Sequence, residues 1–89
     1  MRQATHTVIK THFCEHITAT RRRFKWTKHK MAEKLDMDDR SYSDIEKGEF
    51  ACSAVTLVLY LVFVLQEEEQ ITFLLELRRL ILKSWEEIA

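Results

Sequence analysis

A chain with one glycine and no proline across 89 residues has few places to turn tightly. Short β-hairpin turns draw on those two residues, glycine for positive φ and proline for a preset φ, so a series of short strands would have nowhere to bend. An all-α fold is expected instead. The length suits one small hydrophobic core, a single domain over residues 1–89, and is too short for two. With 46% of residues hydrophobic and 31% charged, enough apolar surface is present to offset the chain entropy lost on folding, which excludes a disordered tail as the main reading.

Charge balances overall, fourteen Lys and Arg against fourteen Asp and Glu, but is unevenly placed. Residues 1–48 carry eleven basic and seven acidic residues; residues 49–89 carry three and seven. A basic front half suits a polyanionic partner, although an ordinary solvated surface gives the same count. Cys14 and Cys52 are expected to stay free thiols. The start MRQATHTVIKTHF lacks the long apolar run of a secretory signal, and two cysteines without one fit a reducing, cytoplasmic setting. The most apolar run, Ala51 to Leu65, falls short of the roughly 20 residues that cross a bilayer; it reads as a core helix, with no membrane partner.

Residue types that carry chemistry are present but not gathered. His12, Cys14 and His16 lie two apart, which puts the cysteine about 200° from each histidine around a helix, so no metal site is expected. No serine, cysteine or carboxylate has a base and an orienting partner at recognisable spacing, and there is no glycine-rich phosphate loop. Neither an enzyme nor a cofactor is expected. Trp26 and Trp85 read as core or interface residues, and His29 as exposed.

Hydrophobic spacing divides the chain into five helices. Ile9, Phe13, Ile17 and Phe24 share one stripe of a first helix of about 17 residues, with Thr5 or Thr7 as its cap and Arg21, Arg22 and Arg23 in its last turn. Thr27 caps a short second helix, about 28 to 35, that turns Met31, Ala32 and Leu35 inward. After a turn at Asp36, Met37 and Asp38, the third helix is capped by Asp38, buries Tyr42 and Ile45, and ends at Gly48. Ser53 caps a fourth helix to about Leu65, whose many apolar residues suggest burial on more than one side. Glu67, Glu68 and Glu69 open a fifth that continues to Ile88, separated from the fourth only by a kink at Gln66.

The segment TKHKMAEKLDMDDRSYSDIEKG, Thr27 to Gly48, holds two short helices around a three-residue turn. That arrangement lets one helix cross a DNA backbone while the next enters the major groove. With Arg21, the run Met31 to Leu35, Met37, Ser41, Ser43, the run Ile45 to Gly48, and Ser53, it resembles the phage-repressor-like, or XRE, helix-turn-helix family of transcriptional regulators. The resemblance covers about residues 8 to 75 and implies a five-helix lambda-repressor-like DNA-binding domain, here with an extended C-terminal helix. It further implies a structural ion pair between Arg21 and Glu46. Thr27, Lys28 and Lys47 fall where the family holds phosphates, and Asp39, Arg40, Ser43 and Asp44 where it reads bases. Arg40 has the clearest chemistry of these, because its planar fork can donate two hydrogen bonds to guanine.

Three positions depart from the family pattern: Lys28 where glutamine is usual, Lys25 where glycine commonly ends the first helix, and Cys52 where proline is common. The stretch from Asp38 to Lys47 is also acidic, with Asp38, Asp39, Asp44 and Glu46 against Arg40 and Lys47. Pairing of Glu46 with Arg21 would reduce that deficit, and Arg22, Arg23, Lys25, Lys28 and Lys30 would supply a positive rim. The last two helices offer more apolar surface than one small core needs. Phe73, Leu77 and Leu80 form one stripe of the fifth helix and Leu74, Ile81, Trp85 and Ile88 lie around another; with Phe73, Leu74, Leu77, Ile81, Trp85 and Ile88 as dimerisation residues, a homodimer is expected. The resulting expectation is a dimeric repressor or autoregulator bound to double-stranded DNA. The alternative is a protein-interaction module on the same scaffold, such as an antitoxin or a mobile-element inhibitor, whose acidic third helix meets a basic protein surface.

Overall fold

The computed structural model describes the backbone of residues 3–88 and the side chains of residues 5–86. Five α-helices follow one another, α1 (Gln3–Arg23), α2 (Lys28–Lys34), α3 (Asp39–Glu46), α4 (Ala54–Leu59) and α5 (Glu67–Ile88), with no strand among the described residues. Three of the five begin at the side-chain caps that the sequence offers. Thr27 Oγ1 accepts from the Lys30 N–H at 3.1 Å, Asp38 Oδ1 from the Ser41 N–H at 2.8 Å, and Ser53 Oγ from the Thr56 N–H at 3.1 Å. Each satisfies a backbone donor that the first helical turn leaves without an intrahelical partner.

The first three helices also end alike. At the end of α1 the Lys25 N–H bonds the Arg22 carbonyl and the Trp26 N–H the Arg21 carbonyl; Asp36 with Met37, and Gly48 with Glu49, repeat that pair of bonds after α2 and α3. This is the Schellman closure, and it requires a left-handed residue just past the helix. Gly48 supplies it at φ 75°, but Lys25 at φ 59° and Asp36 at φ 55° do so with side chains, at a conformational cost that glycine avoids. The reversals let α2 and α3 fold onto each other and α3 onto α1.

The core is built around α1. Phe13 and Ile17 meet Met31, Ala32 and Leu35 of α2, Tyr42 and Ile45 of α3, and Tyr60, Val64, Leu65 and Phe73 from the C-terminal part. The Phe13 ring stands edge-on to Tyr60 at 5.3 Å and to Phe73 at 6.4 Å between centroids, a favoured aromatic geometry. One buried polar thread crosses this core, with the Tyr60 hydroxyl 2.9 Å from Thr20 Oγ1 and 2.6 Å from His16 Nδ1.

Four expectations change. α1 begins at Gln3, so Thr5 and Thr7 lie inside the helix rather than capping it; Thr5 is buried and accepts from the Trp85 indole of α5. The helix after Ser53 does not stay α-helical to Leu65: residues Tyr60–Val64 widen into a π turn closed by the Leu65 N–H on the Tyr60 carbonyl at 3.1 Å. That turn brings Tyr60, Val64 and Leu65 into the core together. Leu65 then adopts an extended conformation, which breaks the chain direction more completely than a kink, and Glu69 accepts from the Gln66 N–H to start α5. Finally, α4 and the π turn after it bury one side only, since Val55, Val58, Val62 and Phe63 are exposed.

Candidate functional site

The first turns of α2 and α3 are brought side by side by His29. Its Nδ1 lies 2.8 Å from Asp39 Oδ1 across the turn, and its Nε2 lies 3.5 Å from Glu33 Oε2 one turn along α2. This contact joins the start of α2, which opens with the Thr27 cap and Lys28, to the start of α3, where Arg40 follows Asp39. Thr27, Lys28, Arg40 and Lys47 are exposed; Ser43 and Asp44 are half-buried. Arg40 makes no ion pair among the described residues, so its fork is available. Lys28 is near enough to Glu46 for its charge to help hold that carboxyl down, which places the start of α2 within electrostatic reach of both ends of α3.

Behind this surface lies a buried clamp. Arg21 Nε donates to Glu46 Oε2 at 2.6 Å and Arg21 Nη2 to Glu46 Oε1 at 3.2 Å, a two-point fork on the carboxylate. Arg21 Nη1 also donates to the Trp26 carbonyl at 3.0 Å, and the Tyr42 hydroxyl donates to Glu46. One guanidinium thus ties the end of α1, the entry to α2 and the end of α3. Burial alone would raise the Glu46 carboxyl, yet the hydrogen bonds from Arg21 and Tyr42, with the Arg21 charge, hold it below the ordinary glutamate range. The Tyr42 hydroxyl is driven far up, first by burial and then by its bond to Glu46. The nearby Cys14 thiol donates to the Glu46 backbone carbonyl at 2.9 Å; burial pushes it up, as do the charges of Glu15 and Glu46.

The acidic stretch is therefore largely engaged. Glu46 is turned inward onto Arg21; Asp38 is spent on the α3 cap and held down by the Ser41 backbone and side-chain hydrogen bonds; Asp39 faces His29. Asp44 makes no ion pair among the described residues and stands at a shallow cleft with Met37, Ser41 and Phe50. Around the face Arg22, Arg23, Lys25 and Lys30 are all exposed, and Arg23 is paired with Glu69 of α5.

The remaining predicted positions separate by location. Phe73 is 1% exposed in the core and Leu77 packs against it, so these two serve the fold and are not offered to a second copy. Leu74 and Trp85 are exposed and Ile81 is half-buried, whereas the Ile88 side chain lies outside the described residues. Cys14 turns toward α3 while the His12 and His16 rings pack around Phe73, at 4.9 and 4.7 Å. No three His, Cys, Asp or Glu side chains among the described residues could hold a metal ion. No described helix is long and apolar enough to cross a membrane.

Two participants escape a reading of sequence alone. The Tyr42–Glu46 bond spans four residues of one helix, a spacing that flags it in retrospect. His29 to Asp39 crosses a turn whose geometry hangs on a left-handed Asp36, and no pattern announces it. Comparison with protein-family models, with curated proteins and with solved structures finds no match for the chain.

Proposed function

We propose that this chain is a sequence-specific DNA-binding regulator of the phage-repressor-like XRE helix-turn-helix type, acting as a dimeric repressor or autoregulator. The observation that carries the reading is the joining of two exposed helix starts through His29 of α2 and Asp39 of α3, at 2.8 Å. Two N-terminal turns on one face are what a duplex requires, one for the phosphates and one for the base edges. In this reading Thr27, Lys28 and Lys47 set the register on the backbone. Arg40 donates to a guanine edge, flanked by Ser43, Asp44 and Asp39.

The outer face of α5 supports the dimer. Ile71, Leu74, Leu75 and Leu82 are exposed on the side away from Phe73, Leu77 and Ser84, so the helix carries apolar residues beyond the face that its own fold covers. A two-fold pairing would present two copies of α3 to half-sites about one DNA turn, roughly 34 Å, apart. The rival reading, in which an acidic third helix meets a basic protein, has less support because three of its four carboxylates are already engaged within the chain.

Mobility shifts with DNA selected from a random library test the reading. Arg40→Ala is expected to relax base preference, at a cost of about 1–3 kcal/mol for a lost two-point base contact, while Lys28→Ala weakens all sequences and reduces the salt slope by about one. Absence of binding to any pool at low salt overturns the proposal. A stoichiometric protein partner recovered from cells, on protein that is free of DNA, favours the rival.

A further inference from the structure

His29 sits between two carboxylates, on the face where the proposed reading places DNA. Asp39 from α3 faces Nδ1 at 2.8 Å and Glu33 from α2 faces Nε2 at 3.5 Å. A neutral imidazole carries one N–H and one lone pair, so it can satisfy only one of those two acceptors; only the imidazolium presents a donor to both. The side chains of His29 and Asp39 are 70% and 64% exposed, so the pair is at the surface where a polyanion would arrive. Lys28 and Lys30 flank the histidine in sequence, and Arg40 follows Asp39. Resting on the DNA-binding reading, we infer that His29 is a proton-dependent regulator of that face, whose imidazolium masks the Asp39 carboxylate and whose neutral form leaves it opposed to phosphate.

The physical cycle follows from linkage. With the proton on, the His29–Asp39 pair carries no net charge, and Arg40 beside it meets the duplex without an opposing carboxylate. With the proton off, a negative charge remains at the start of α3, where it repels phosphate. The hydrogen bond and charge of Asp39, helped by the charge of Glu33, favour the protonated ring and lift its titration above the ordinary histidine value. DNA that binds better to the protonated form must in turn draw a proton onto His29, because the coupling is reciprocal. Affinity therefore falls as pH rises through that titration.

The test measures DNA affinity by fluorescence anisotropy between pH 6 and 8 at fixed ionic strength, on selected DNA. Wild-type affinity should drop about fivefold across that range, the lower end of typical coupling between two sites. His29→Gln should bind with a flat profile near the weak, high-pH limit, and Asp39→Asn should likewise lose the pH slope. The His29 ring resonance in wild type should titrate higher with DNA than without. A wild-type slope that survives in His29→Gln assigns the pH effect to another group and overturns the inference. A wild-type profile that is flat, with binding intact, overturns it while leaving the DNA-binding reading in place. No binding at any pH removes both.

Discussion

Between Thr27 and Gly48 every large apolar side chain is buried or half-buried, whereas between Phe50 and Trp85 ten are exposed. Both regions start helices at side-chain caps, and they share one core. They differ in what their outer faces present. The α2–α3 unit turns Met31, Leu35, Tyr42 and Ile45 inward and leaves charged and hydroxyl groups outside, so its surface is finished by its own fold. The α4–α5 part spends Tyr60, Val64, Leu65 and Phe73 on the core and still has apolar residues left over. A polar face made by pinned side chains suits a charged, hydrated partner, and an apolar face suits a second protein surface.

The two sides of α5 break this comparison most sharply. Phe73→Ala should cost about 3–5 kcal/mol in chemical denaturation, since it removes a buried ring from the junction of α1 and α5 and leaves a cavity. Leu75→Lys, at a position 61% exposed, should leave monomer stability within about 0.5 kcal/mol and instead lower self-association in sedimentation. If both variants lose the same stability, α5 is not two-faced.

The clamp under the α2–α3 face comes next. Glu46→Ala leaves the part-buried Arg21 cation with only the Trp26 carbonyl, and about 3 kcal/mol of stability should be lost. Because the folded Glu46 carboxyl is held below its unfolded value, its contribution is present above the ordinary glutamate range and is lost as pH falls through the depressed folded value. Acid melts should therefore separate wild type from Glu46→Ala at neutral pH and bring the two together at the most acidic end. The smallest effect is local. Lys25→Gly removes the left-handed penalty that ends α1 and should raise stability by about 1 kcal/mol; the reverse change, Gly48→Ala, should cost a similar amount. The methyl group itself would have room, 3.8 Å from the Cys14 sulfur, so the cost of the second change would be conformational rather than steric.

Caps were legible because their chemistry is short-range. Thr27, Asp38 and Ser53 each reach a donor three residues on, and a pattern in one dimension is enough to see that. Arg21 with Glu46 came from resemblance, not spacing, since 25 residues separate them. Lys25 and Asp36 were not legible as left-handed residues: neither is a glycine, and the folded packing imposes the conformation on them. The π turn at Tyr60 was hidden for a related reason, because the run of β-branched and leucine residues reads as apolar at any helical pitch.

The order of helices, the starts of α2, α3 and α4 and the inward positions of α2 and α3 are properties of the sequence, set by periodicity and by hydrogen bonds between near neighbours. The tertiary structure alone decided which apolar faces stay uncovered and that His29 holds Asp39 across the turn. Exposure and charge pairing depend on which groups meet across the chain, and a linear pattern does not encode that proximity.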